Sequence, residues 1–219
     1  DVVVTITAAT TVANIETLTG LGVTLGNITY TLADGEEVLG SQDLADIGAL
    51  VDIVGGAENF ATTDATVTVN GTSTTVDQVS TLMTTDGMAL GKIAFTLAAD
   101  EEALGTVANY ATAASEAAIV DKSESKAYSD VEVTIGGTAT TVDNIVTLTG
   151  LGVTLPKIAF TLAVNEETLG TVADYATAAS EAAIVDKSES KAYSDVVVTI
   201  TAATTVANIE TLTGLGVTL

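Results

Sequence analysis

DVVVTITAATTVANIETLTGLGVTL stands at residues 1–25 and again, without a single change, at 195–219. A second verbatim pair lies inside: YATAASEAAIVDKSESKAYSDV fills Tyr110–Val131 and returns at Tyr175–Val196, 65 residues later. A fixed period of this size is the signature of a chain that stacks one supersecondary unit on the next, and it takes precedence over any estimate of domain number from length. The chain divides into repeat units 1–63, 64–129 and 130–194, followed by a partial unit, 195–219. The partial unit copies unit one rather than its neighbour. That points to a higher-order period of 194 residues, in which Leu219 would be followed by Gly-Asn-Ile-Thr-Tyr, as Leu25 is. The two identical segments are expected to fold alike, with the same side chains inward.

Unit 130–194 shows what is being repeated. Val131, Val133 and Ile135 alternate with Glu132 and Thr134, the pattern of a half-buried strand. Ala65, Val67 and Val69 repeat it, as do Val2, Val4 and Ile6. Val142, Ile145 and Leu148 then recur every three residues behind Thr140 and Asp143, which form a capping-box-like pair, so a short helix is expected, closed by Gly150 and Gly152. Ile158, Phe160 and Leu162 mark a second strand, matched by Ile93, Phe95 and Leu97 and by Ile28, Tyr30 and Leu32. Asn165-Glu166-Glu167 reads as the N-cap and acidic first turn of a second helix carrying Leu169, Val172, Ala176, Ala179 and Ala183. Asp186–Lys191 reads as a polar surface turn. Each unit is therefore strand–helix–strand–helix. The spacings suit crossovers of roughly 30 residues between parallel strands, which are right-handed as a rule. The expected fold class is α/β: a repeat solenoid with short parallel strands on one face and helices on the other. The alternative is a string of small α+β domains, disfavoured because no Pro- or Gly-rich linker separates the units.

Composition narrows the function. Of 219 residues, 29 are acidic and only 6 basic, a formal charge of −23 that speaks against nucleic acid and anionic lipid as partners. There is no His, Cys, Trp or Arg, which removes the usual general base, the thiol nucleophile and the commonest transition-metal ligands. No apolar run approaches the 18 or so residues a membrane span needs. The sequence opens on Asp1, so the string is read as processed or as part of a longer product. No enzyme is expected.

Two constellations recur. Glu36-Glu37, Glu101-Glu102 and Glu166-Glu167 occupy one place in each unit. Glu101, Glu102, Glu166 and Glu167 are the candidate divalent-cation ligands, with calcium the one cofactor considered, although adjacent glutamates alone fall short of the six to eight oxygens calcium takes. The competing role is to match acids to a helix dipole. Asp121, Glu124 and Asp130, with Asp186, Glu189 and Asp195, form a weaker acidic set. Outward Thr66 with Thr68, and Thr29 with Thr31, make a flat Thr surface of the kind that ice or glycans could meet, or simply suit a strand's outer face. Asn27-Ile28-Thr29 and Asn70-Gly71-Thr72 match the N-glycosylation sequon.

Gly55–Val67, Val198–Ala207 and Ile28–Asp34, taken with the repeats, resemble the tandem Ala/Thr/Val-rich arrays of very large bacterial surface proteins: adhesins, sheaths and filament-like polypeptides. The resemblance spans nearly the whole chain through motifs of low complexity. It implies an extracellular or cell-surface structural segment whose partner is another copy of itself or the continuation of the same chain. A calcium-dependent adhesion or glycan-binding module is the other expectation. The Gly-Gly-x-Gly-x-Asp nonapeptide of calcium β-rolls is absent, so that calcium site does not carry over.

Overall fold

The computed structural model describes residues 2–71, 73–137 and 139–218. The described chain is a mixed α/β structure of seven helices and four small parallel sheets, with no closed barrel. No described helix is long and apolar enough to cross a membrane. Two compact units are present, residues 1–101 with 119–126, and residues 102–118 with 127–219.

The first unit opens with β1 (Val4–Thr5), α1 (Val12–Gly20) and β2 (Ile28–Thr29), where β1 and β2 pair in parallel. β3 (Val38–Gln42), α2 (Leu44–Gly56), β4 (Thr66–Val69), α3 (Val76–Thr84) and β5 (Ile93–Ala94) follow, and β3, β4 and β5 form a three-stranded parallel sheet in that order. The second unit holds the same arrangement in β6 (Ala103–Val107), β7 (Glu132–Ile135), α5 (Val142–Leu151) and β8 (Ile158–Ala159), with order β6–β7–β8. Helix α4 (Tyr110–Lys122) connects β6 to β7 in sequence. Then come β9 (Thr168–Val172), α6 (Tyr175–Lys187), β10 (Val197–Ile200) and α7 (Val206–Leu215), where β10 pairs with β9. Each three-stranded sheet takes its first strand from one sequence repeat and its other two from the next, so the sheets straddle the boundaries at 63/64 and 129/130.

The core is aliphatic and layered. Val131, Val133 and Ile135 are buried, as are Ile158, Phe160 and Leu162, so both alternations are met in the second unit. The ladder outlasts the short strands. Thr140 N–H donates to the Thr161 carbonyl at 2.9 Å, and Ala163 N–H donates to the Thr140 carbonyl at 2.8 Å. Thr140 is consequently buried. The cap of α5 is its neighbour Thr141, whose hydroxyl accepts from Asn144 N–H at 3.2 Å, and Asp143 is not the reciprocal partner in that cap. Of the two closing glycines, Gly150 lies within α5 and Gly152 ends it, at φ +116°. A Cβ on Gly152 would also sit 3.2 Å from Tyr128 Cβ, which leaves glycine the fitting residue.

One element differs in kind from the expectation. Asn165-Glu166-Glu167 is a turn, with Asn165 at φ +69°, and it leads into strand β9 rather than a helix. The second helix starts six residues later than Leu169, at Tyr175, capped by Asp174 Oδ1, which accepts from Thr177 N–H at 2.9 Å. Thr168-Leu169-Gly170-Thr171-Val172 hides its strand character because Gly170, at φ +68°, accompanies a shift of register. The bulge breaks the period of two and leaves Leu169 and Val172 at a helix-like spacing of three. The repeat is therefore strand–helix–strand, then a turn and another strand–helix.

Candidate functional site

The glutamate pairs hold fixed positions in the stitching between successive elements. Val12, Val76 and Val142 begin α1, α3 and α5, and their N–H groups donate to Oε2 of Glu36, Glu101 and Glu166 at 2.7, 2.8 and 2.8 Å. Each carboxylate comes from the turn 24 or 25 residues further along the chain. A charge-assisted bond at a helix N-terminus satisfies an otherwise orphaned donor and complements the dipole. The acids thus serve the preceding helix, not the one that follows them.

The second glutamate of each pair works through its backbone. The carbonyls of Glu37, Glu102 and Glu167 accept from the N–H of Thr66, Glu132 and Val197 at 2.9, 2.9 and 3.0 Å, extending the ladders of β4, β7 and β10. Glu167 Oε2 also lies 2.9 Å from Lys191 Nζ, and that lysine holds the Glu167 carboxyl below the ordinary range. Phe60 stands four residues before Asp64, where Lys191 stands four before Asp195. The Glu37 Oε2 atom is buried without a hydrogen-bond partner among the described residues.

Asp143, Glu166 and Glu181 line a cleft of about 150 Å³ in the second unit. Burial, followed by the charge of Asp143, raises the Glu181 pKa. Among the described residues no group of three or more His, Cys, Asp or Glu is arranged to hold a metal ion. In the weaker acidic set, Asp130 Oδ2 and Asp195 Oδ2 accept from Ala127 and Ala192 N–H at 3.0 and 2.9 Å, closing their own turns. Of the four threonines expected to face outward, Thr29 and Thr68 are exposed, while Thr31 and Thr66 are half-buried. The sequon residue Thr72 lies outside the described residues.

Sequence reasoning missed a set of strand-end clamps. Ser123 and Ser188, in the supposedly exposed polar turns, are buried. Leu97 N–H donates to Ser123 Oγ and Leu162 N–H to Ser188 Oγ, each at 3.1 Å. Asn59 does the same for Leu32, accepting from its N–H and donating to its carbonyl, both at 3.0 Å. These side chains cover the outer edges of the strand segments at β2, β5 and β8, which would otherwise be open for pairing. The available signal was the serine repeated at 123 and 188, concealed by the charges around it; Asn59 stands two residues further along its repeat, where the others have Ser125 and Ser190.

A wide unfilled feature lies at the end of the second unit. A groove of about 780 Å³ runs between β10 and α7, walled by Val196, Val198, Ile200, Ile209, Leu212 and Val217. Among the described residues β10 has β9 on one side and no strand on the other, whereas β4 and β7 are paired on both. Beside β7 the corresponding place is filled by Ile158, Phe160 and Leu162. Compared with known proteins, the chain matches no family model, no curated sequence and no solved structure.

Proposed function

We propose that this chain is a structural repeat segment of an extracellular fibre, sheath or adhesin stalk, built as a β/α solenoid that assembles end to end with copies of itself or continues in a longer chain. Its work is mechanical rather than catalytic. The observation that carries this proposal is the apolar groove beside β10, a place that is filled by a strand wherever the repeat is complete. A strand edge left open in water beside apolar surface is a template for pairing. Support also comes from the Glu37, Glu102 and Glu167 carbonyls, which accept from Thr66, Glu132 and Val197 N–H across the repeat boundaries, because such ties make each repeat depend on the next. The test is sedimentation velocity with light scattering over a wide concentration series at physiological ionic strength. The expected result is association that grows with concentration. A well-folded monomer at every concentration overturns the proposal.

A further inference from the structure

Residues 195–219 have the same sequence as residues 1–25, and the two copies are buried on opposite sides. Val2 is 62% exposed while its counterpart Val196 is 4% exposed. Val12 is 8% exposed while its counterpart Val206 is 76% exposed. Thr10 and Ile15 are buried where Thr204 and Ile209 are half-buried, and Leu212 and Val217 are buried where Leu18 and Val23 are half-buried. In the internal counterpart both sets are covered at once: Val131, Thr140, Val142, Ile145, Leu148 and Val153 are all buried. The N-terminal copy is covered by residues later in the chain and the C-terminal copy by residues earlier in it. Together they make one complete unit.

The N-terminal copy also shows which segment belongs in the C-terminal groove. Ile28, Tyr30 and Leu32 come directly after residues 1–25 and are buried, and Glu36 accepts from Val12 N–H. Val206 N–H would meet its matching carboxylate, and Ile209 its cover, from a segment with the sequence of residues 28–36.

From this complementarity we propose that two copies of the chain join by segment exchange: residues 195–219 of one copy take the place of residues 1–25 on the next, completing a three-stranded sheet of β9 and β10 with the second copy's β2. The proposal rests on the end-to-end assembly put forward above and deepens it. The incoming string is identical to the one it displaces, so the contacts of residues 1–25 with the residues after them are all remade. It also brings β9 and α6, which residues 1–25 lack. The displaced segment regains conformational freedom, which offsets part of the entropy lost on association. Simple edge-to-edge stacking would pair β10 with β1, and it would give Val206 N–H no carboxylate. Exchange requires residues 1–25 to detach first, so association is slow and accelerates under mildly destabilising conditions.

The chain has no cysteine, which makes engineered disulfides unambiguous. Thr5 and Thr29 are register partners in β1–β2, both exposed, and Thr199 is the counterpart of Thr5. Paired strand residues lie within disulfide reach. A uniformly nitrogen-15-labelled Thr199→Cys chain and an unlabelled Thr29→Cys chain are mixed in equal amounts, allowed to associate and oxidised, then weighed intact, the label giving each of the three dimers its own mass. The expected product is the mixed dimer, outweighing both homodimers by about ten-fold or more, because register partners meet at a high effective concentration. Random proportions of the three dimers overturn the exchange. In a second arm, a Thr5→Cys/Thr29→Cys chain is locked by its internal disulfide. Locking is expected to abolish association and reduction to restore it. If the locked chain associates as well as the reduced one, exchange is wrong and the copies stack with residues 1–25 in place. If the unmodified chain stays monomeric throughout, exchange and end-to-end assembly fall together.

Discussion

Single hydrogen bonds to buried side chains set the strand ends. Ser188 is the clearest, because removing its hydroxyl strands the buried Leu162 N–H. Ser188→Ala is expected to cost about 1–3 kcal/mol, the usual penalty for an unsatisfied buried donor. Urea unfolding monitored by far-ultraviolet circular dichroism measures it. Tyr30 provides a pH handle. Its ring is buried, its hydroxyl donates to the Ile53 carbonyl, and burial pushes its pKa from 10.0 up to about 12. The folded state therefore keeps the phenol proton where the unfolded chain gives it up. Stability from this group is fully present below pH 10 and is lost as the pH rises from 10 towards 12. Tyr193 is shifted the same way by burial and by the charge of Asp186. Tyr30→Phe is accordingly expected to weaken the alkaline loss of stability without removing it, read from melting temperatures across that window.

At the scale of elements, helix starts depend on residues distant in sequence. Glu166→Gln keeps a hydrogen-bond acceptor but removes the charge at the N-terminus of α5, with an expected loss of about 0.3–1 kcal/mol. Thr141→Ala removes the local cap and is expected to cost about 1 kcal/mol. Both act on one helix end, so the double variant measures whether local and long-range caps are coupled. The helix over Val142–Leu151 was legible in sequence because its spacing and its apolar stripe agree. β7 and the Ile158–Leu162 segment were legible because alternation survives where one face is buried. β9 was not. Its bulge at Gly170 removes the period of two, and only Val172 of its five residues is buried. The glutamate pairs were visible as a repeated feature, but local sequence assigned them to the following helix. Their true partners lie 24 or 25 residues upstream, a relation that spacing along one helix cannot show.

At the scale of the whole molecule, charge and repetition dominate. Twenty-three excess negative charges repel one another in the compact state, and salt screens them. The melting temperature is expected to rise with sodium chloride. Calcium should reproduce that rise at lower concentration and without a saturable step, leaving the melting temperature indifferent to chelator in calcium-free buffer. A saturable calcium shift that Glu166→Gln abolishes would instead favour an adhesive, calcium-dependent module. The burial contrast between residues 1–25 and 195–219 overturns the expectation that both copies turn the same side chains inward, since Val2 and Val206 are exposed where Val196 and Val12 are buried. Burial there is set by neighbours, not by residue identity.

The offset between sheets and sequence repeats has a genetic consequence. Each three-stranded sheet spans a repeat boundary, and Tyr110–Val131 recurs verbatim at Tyr175–Val196. A crossover between those two stretches adds or deletes 65 residues and rejoins the chain at an equivalent residue of the same helix and strand. Every interior sheet then has the same three strands as before, whichever point in the stretch recombines. Array length is thereby free to vary by inheritance while the fold is conserved, and natural variants are expected to differ by whole units.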